Sequence, residues 1–286
     1  MANKTCSVNE SYFKTWTPNM AYALGYIWAD GSISKQSLTL GCARADEDLI
    51  ISIRSDMQST HAIHRRANLA GRGGGTWEMT SIGIYRQAIR RDLIEIHGLA
   101  ENKTNKDLPW PTNIPDSLLG HFLRGVFDGD GCVTVCGNKG HESCYIKLCG
   151  TEKFLNGLVD NVARLAGVTR CKVTMHKKSK MLAVCQWGRL GDIKALQRFM
   201  YPEGDGYIFL KRKREKLESE ATKFEVRNSR VVRSEGETQV IRAVLLNRYA
   251  KDGLAVIQRE LRIPKGTLSR MAWQMGLTKK RISPAV

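Results

Sequence analysis

Two stretches of this chain end in the same dipeptide and lead into the same succession of elements. That restricts the fold more than any other feature of its 286 residues. An apolar run over residues 21–29 ends in Asp30-Gly31, and a second over residues 117–129 ends in Asp130-Gly131, 100 residues later. Thr17 before Pro18 offers an N-cap and a first helical position for the first run. Behind it, the alternation over residues 32–40 predicts a hairpin turning at Lys35-Gln36. Leu49, Ile50 and Ile53, after an acidic start, predict a helix over 46–57. A basic hairpin over 61–81 with a glycine-rich tip at 71–75 and a helix over 85–97 complete the series. After the second run come a long hairpin over 132–148, a helix over 152–166, a basic hairpin over 170–187 and a short helix over 192–199. The chain therefore carries one αββαββα unit written twice, the halves being joined by a polar, proline-containing linker at 102–115.

The paired endings carry a physical argument. Gly25 and Ala29 in one helix, and Gly125 and Gly129 in the other, place small residues four apart on one face. Two such helices can then approach backbone to backbone, and their ends meet. Gly31 and Gly131 suit the left-handed conformation that stops a helix. Asp30 and Asp130, however, stand where the helix dipole is already negative, at a cost of a few tenths to about 1 kcal/mol each, and repel one another when brought together. A divalent cation held by hard carboxylate oxygens relieves both conflicts. A local rule broken twice in the same way marks a functional site.

Composition names the partner. A formal charge of +17 and a pI near 9.7 favour a polyanion, bound in a strongly salt-dependent way. Neither a membrane-spanning run nor a basic amphipathic stretch with a broad apolar face is present. The polar residues 1–10 lack the apolar core of a secretion signal, so a cytoplasmic protein with reduced thiols is expected. Cys132, Cys136, Cys144 and Cys149 crowd together without a C-x-x-C pair, and half-buried strand thiols are a better expectation than zinc ligands. The six histidines, at 61, 64, 97, 121, 141 and 176, show no nuclease or zinc spacing.

Past the basic run at residues 211–214 come a charged helix and a polar connector over 228–238. Residues 239–251 and 254–261 read as helices separated at Asp252-Gly253. A break at 262–264 precedes a last helix over 266–275. This is the helix-turn-helix order, whose last helix enters a major groove; Lys265, Thr267, Ser269, Arg270 and Gln274 are its candidate base-facing residues. The tail Lys279-Lys280-Arg281 adds positive charge.

The segments Ala23-Leu24-Gly25-Tyr26-Ile27-Trp28-Ala29-Asp30-Gly31 and Leu123-Arg124-Gly125-Val126-Phe127-Asp128-Gly129-Asp130-Gly131 resemble the paired motifs of the LAGLIDADG homing endonucleases. The resemblance extends from residue 21 to about 216. Trp28 stands where that family often has a first acid. The resemblance implies an α+β fold of two pseudo-symmetric halves whose sheets form a saddle over DNA, here followed by a small all-α module. The expected domains are 1–105, 106–227 and 236–286. It further implies a monomer cutting both strands of a long asymmetric duplex site, with short 3′ overhangs. Mg²⁺ or Mn²⁺ would be held at Asp30, Gly31, Asp130 and Gly131 and would activate water for in-line attack. A basic residue after the last helix of each half, Lys103 and Lys213 here, would complete the chemistry.

Outward residues of the hairpins are the candidate sequence readers. In the first half these are Ser32, Ser34, Lys35, Gln36, Arg65, Arg66, Asn68, Arg72 and Thr76. In the second they are Thr134, Asn138, Lys139, His141, Lys172, Thr174, His176, Lys178, Lys180 and Gln186. Two other readings share this architecture: a transcription regulator that no longer cuts, and a maturase that binds intron RNA. An intein is disfavoured, because neither a splicing Cys or Ser opens the chain nor a His-Asn pair closes it.

Overall fold

The computed structural model describes residues 6–70, 76–103, 106–137, 143–177, 179, 181–229, 235–261, 263 and 265–277. They divide into two compact units, Met1–Phe224 and Glu225–Val286.

The first unit contains the repeat predicted from the sequence. Helix α1 (Pro18–Asp30) is followed by β1 (Ser32–Ile33), β2 (Leu38–Ala43), α2 (Glu47–Asp56), β3 (Ile63–Ala70), β4 (Thr76–Ile84) and α3 (Gln87–Glu95). The second half runs α4 (Leu119–Asp130), β5 (Gly131–Cys136), β6 (Ser143–Gly150), α5 (Glu152–Ala166), β7 (Thr174–Met175), β8 (Ala183–Trp187) and α6 (Leu190–Met200). Each half builds one antiparallel four-stranded sheet, ordered β1-β2-β4-β3 in the first and β5-β6-β8-β7 in the second. The same strand order in both sheets is the structural form of the duplication. Helix α7 (Lys211–Ser229) follows the second half.

Alternation assigns the faces. Leu38, Leu40, Thr80, Ile82 and Ile84 of the first sheet, and Val133, Cys144, Ile146, Leu148, Ala183, Cys185 and Trp187 of the second, are buried on the helix-bearing side. Residues between them point the other way.

The two halves meet at α1 and α4, the most extensive packing between any two helices. Residues Met20–Trp28 of α1 and Leu119–Asp128 of α4 are buried throughout. Glycine sets the separation: a Cβ at Gly25 would lie 2.1 Å from the Phe122 carbonyl oxygen, one at Gly125 2.1 Å from that of Tyr22, and one at Gly129 2.3 Å from Ala29 Cβ. The small-residue rhythm read in the sequence thus has a steric cause. As expected, Thr17 accepts a hydrogen bond from Met20 N at 3.0 Å and caps α1.

In the second unit, α8 (Glu235–Leu261) is broken at Gly253, where φ is 70° and ψ 167°. Helix α9 (Lys265–Gln274) follows. Ile241, Leu245, Ile257, Ile263 and Leu268 close a small separate core. Among the described residues, no helix is long and apolar enough to cross a membrane.

Candidate metal centre and nucleic-acid interface

Because α1 and α4 touch along their glycine faces, their C-terminal ends come together. The Asp30 backbone nitrogen lies 3.5 Å from the position of a Cβ on Gly129. Gly31 N closes α1 on Ile27 O, and Gly131 N closes α4 on Phe127 O. Neither glycine is left-handed: Gly31 has φ −70° and ψ 147°, and Gly131 φ −98° and ψ 158°. The expectation of a left-handed stop is corrected by a steric one. A Cβ would meet Ile27 Cα at 2.7 Å in the first half and Phe127 O at 2.5 Å in the second.

Asp30 and Asp130 follow from these endings. Among the described residues neither carboxylate accepts a hydrogen bond or forms an ion pair. Both are reachable by solvent, although protein surrounds them on most sides. The open surface governs access for a ligand, while the surrounding atoms govern proton affinity. Desolvation raises the Asp30 pKa against the pull of Lys213 and Lys103. Desolvation, and then the charge of Asp30, push Asp130 up to about 6.

A lysine stands at each helix end. Lys103 Nζ donates to the carbonyls of Trp28 at 2.7 Å and Ala29 at 2.6 Å. Lys213 Nζ donates to Asp128 O at 2.7 Å, Gly131 O at 2.7 Å, Phe127 O at 2.9 Å and Gly129 O at 3.3 Å. Burial lowers both lysine pKa values, and the nearby aspartates oppose that shift. Each negative helix end thus holds an ammonium on its last carbonyls, whether or not a metal is bound by the aspartates. The Gly131 carbonyl, expected among the metal ligands, is engaged by Lys213.

The donor set fits a hard divalent cation. Two unpartnered carboxylates supply oxygens, and such an ion commonly keeps several waters beside one or two carboxylates. Among the described residues no group of three His, Cys, Asp or Glu side chains is placed to hold a metal. Cys132 and Cys136 are exposed, Cys149 is half-buried and Cys144 is buried.

Asp128 has a different task. Its Oδ2 accepts Tyr22 Oη at 2.8 Å and Leu210 N at 2.7 Å, and burial raises its pKa to about 6. The matching place in α1 holds Trp28, stacked on Phe154 with centroids 5.2 Å apart.

The outer sheet faces gather part of the expected reader set. Ser32 and Arg66 lie on the outer face of the first sheet, while Ser34, Lys35 and Gln36 form the exposed turn after β1. Arg65 is a correction. It pairs with buried Thr80 on the helix-bearing side, and its guanidinium holds Glu47 through two 2.8 Å bonds, drawing that carboxyl down to about 2. Thr76 has the same strand phase as Thr80 and is exposed at the end of β4. Asn68 lies in β3.

In the second half Lys172, Thr174, His176 and Gln186 line one groove of about 690 Å³, and Thr134 is half-buried on the outer side of β5. Arg72, Asn138, Lys139, His141, Lys178 and Lys180 fall outside the described residues. In the second unit Thr267 and Ser269 are half-buried on α9, Arg270 and Gln274 are exposed on it, and Lys265 is its first residue.

Sequence reasoning passed over three residues. Lys147 lies on the outer face of β6, paired with Gln186, and alternation about Ile146 and Leu148 would have found it. Trp77 is exposed in the outer phase of β4, and Trp273 is 71% exposed on α9.

No protein-family model matches this sequence, and no curated protein does. Among solved structures, the chain is similar to the LAGLIDADG homing endonuclease I-GzeII in complex with a DNA target. The identity is 12%, the match covers 79% of this chain and 96% of that one, and the TM-score is 0.51. It is also similar to the homing endonuclease I-WcaI bound to its DNA recognition sequence, at 14% identity over 73% of this chain and 91% of that one, with a TM-score of 0.49. Two halves of identical strand order, joined at glycine-lined helices that each end in Asp-Gly, agree with that likeness: the chain has the LAGLIDADG homing-endonuclease fold.

Proposed function

We propose that the first unit is a site-specific, metal-dependent endonuclease that cuts both strands of a DNA duplex and leaves short 3′ overhangs. The observation that carries this reading is the meeting of Asp30 and Asp130, two unpartnered carboxylates at the ends of helices forced together by glycine. Folding would not retain such a pair for stability, since each acid adds to the other's repulsion.

Mg²⁺ or Mn²⁺, bound there, supplies Lewis-acid stabilisation of the phosphate and an activated water. Asp30 and Asp130 bind and orient, one carboxylate for each strand. Lys103 and Lys213 fix the helix ends through the last carbonyls and keep positive charge beside the reacting phosphates. No protein nucleophile is needed. The outer sheet faces serve as readers, with Ser32, Arg66, Lys172, Thr174, His176 and Gln186 among them, and the charge of +17 supplies attraction to the duplex. Two halves in one chain fit a monomer on an asymmetric site.

The second unit is proposed as a helix-turn-helix reader with α9 in the major groove. Support comes from the break at Gly253, the closed core and a helix α9 without an acidic residue.

The test is cleavage of a randomised duplex library with Mg²⁺, comparing the native chain with the Asp30→Asn, Asp130→Asn double variant. Breaks at one recurrent sequence that vanish in the variant establish the reading. Tight binding by both proteins with no cuts in either assigns the chain to regulators instead.

A further inference from the structure

The outer faces of the two sheets carry different chemistry. On the first, a row of uncharged residues follows β4. Trp77 is 45% exposed, Met79 is half-buried, and Tyr85, just past the strand, is exposed. Glycine lets two of them rest against the sheet. Met79 Cε fills the space that a Cβ on Gly41 would take, and the Tyr85 ring lies 3.1 Å from where one on Gly83 would stand. Ala43, the partner of Met79 on β2, is exposed as well. Among the described strand residues of that face, Arg66 is the one permanent charge. Large apolar side chains left together at a surface mark a contact area.

The second face is polar and cationic. Lys147 of β6 stands beside its partner Gln186 of β8, with its Nζ 5.8 Å over the ring of Tyr145. Gln186 in turn lines the groove of about 690 Å³ together with Lys172, Thr174 and Lys177. The two sheets have the same strand order, so the difference lies in their side chains and not in their architecture. Two halves of one chain are free to differ in this way, as two copies of one chain are not.

In the major groove thymine presents a methyl group and guanine presents two acceptors, N7 and O6. Apolar side chains suit the first, and ammonium groups suit the second. We propose that the target is divided accordingly. The half-site under the first sheet is rich in A·T pairs, read by Trp77 and Met79 through thymine methyls. The half-site under the second is rich in G·C pairs, read by Lys147 and Lys172 through guanine N7 and O6. This rests on the duplex-binding reading of the first unit and adds to it which base pairs each half selects.

The test is selection of bound duplexes from a randomised library by the full chain, without divalent cation so that nothing is cut, followed by base analogues in the selected duplex. Deoxyuridine in place of thymine removes only the methyl, and 7-deazaguanine in place of guanine removes only the N7 acceptor. One half of the selected sequence should be rich in A·T and the other in G·C. Deoxyuridine in the A·T half should weaken binding about fourfold for each methyl contacted. Trp77→Ala should reduce that sensitivity, and Trp77→Phe, which keeps an apolar ring, should retain it. Lys147→Met should reduce the response to 7-deazaguanine in the other half. Half-sites of like composition, or a deoxyuridine duplex bound as tightly as its thymine parent, overturn the division while duplex binding stands. An undiminished response to 7-deazaguanine in Lys147→Met overturns the guanine assignment and puts that lysine on phosphate. If no duplex is enriched, the duplex reading itself fails and the division falls with it.

Discussion

Gly25 and Gly125 are each other's counterparts across the joined halves, and each leaves room for the other helix's backbone, with 2.1 Å between a notional Cβ and the facing carbonyl oxygen. Backbone cannot step aside as a side-chain tip can. Gly25→Ala or Gly125→Ala should therefore cost about 3 kcal/mol, at the upper end of overpacking, read as a lowered midpoint in urea. Gly191→Ala, where a Cβ meets nothing within 4 Å, is the control. Similar losses at all three positions would show that close approach is not the cause.

Asp130 titrates in the wrong direction for stability. Its folded pKa, raised to about 6, exceeds the ordinary carboxylate value, so the folded state binds this proton more tightly than the unfolded one. Its protonated form is favourable below the ordinary value, and that advantage is lost as pH rises through about 6. The stability gained by Asp130→Asn should grow from near zero at pH 4 to a plateau above pH 6, measured as the difference between paired urea melts. A gain independent of pH would contradict the raised pKa. Using the difference removes His121, which burial lowers to about 4.

Lys213 engages four carbonyls and Lys103 two. Replacement by Met leaves those acceptors at helix ends beside two acids. Lys213→Met should destabilise by about 4 kcal/mol and Lys103→Met by about 2 kcal/mol, at about 1 kcal/mol per charged hydrogen bond lost. Equal effects in chemical denaturation would argue against carbonyl capping.

Removal of residues 228–286 should weaken duplex binding at least tenfold while leaving Mg²⁺-dependent cutting in place, because the candidate centre belongs to the first unit. Gel-shift titration and a cleavage assay on the same duplex decide it. A shortened chain that binds as tightly as the full one would remove the reader role proposed for α9.

Much of this architecture is legible in the sequence, because helix period, strand alternation and small-residue spacing are local signals. Asp30 and Asp130 stand out as acids at the wrong ends of helices, and Gly25 and Gly125 announce a close crossing. Elsewhere the signal is not local. Arg212 meets buried Asp46 across 166 residues, with Nη2 to Oδ2 at 2.6 Å. Arg124 finds its carbonyls at the end of α6 and in the segment after it, 76 and 84 residues away. Arg65 is a different case: its charge suggests an outward reader, whereas the phase set by Ile63 places it beside Glu47. The bulge between Arg66 and Leu69 then resets that phase, so no single alternation covers the strand.

The crossing of α1 and α4 also says how freely the halves can be exchanged. Their closest contact is made of main chain and small residues, and within one turn of it the matching positions already differ, Trp28 against Asp128. A foreign half grafted onto this one would have to reproduce the glycine rhythm and the buried hydrogen bond from Tyr22 to Asp128 that crosses it. The interface behaves as a standard coupling, and the modules it joins are left to diverge on their own.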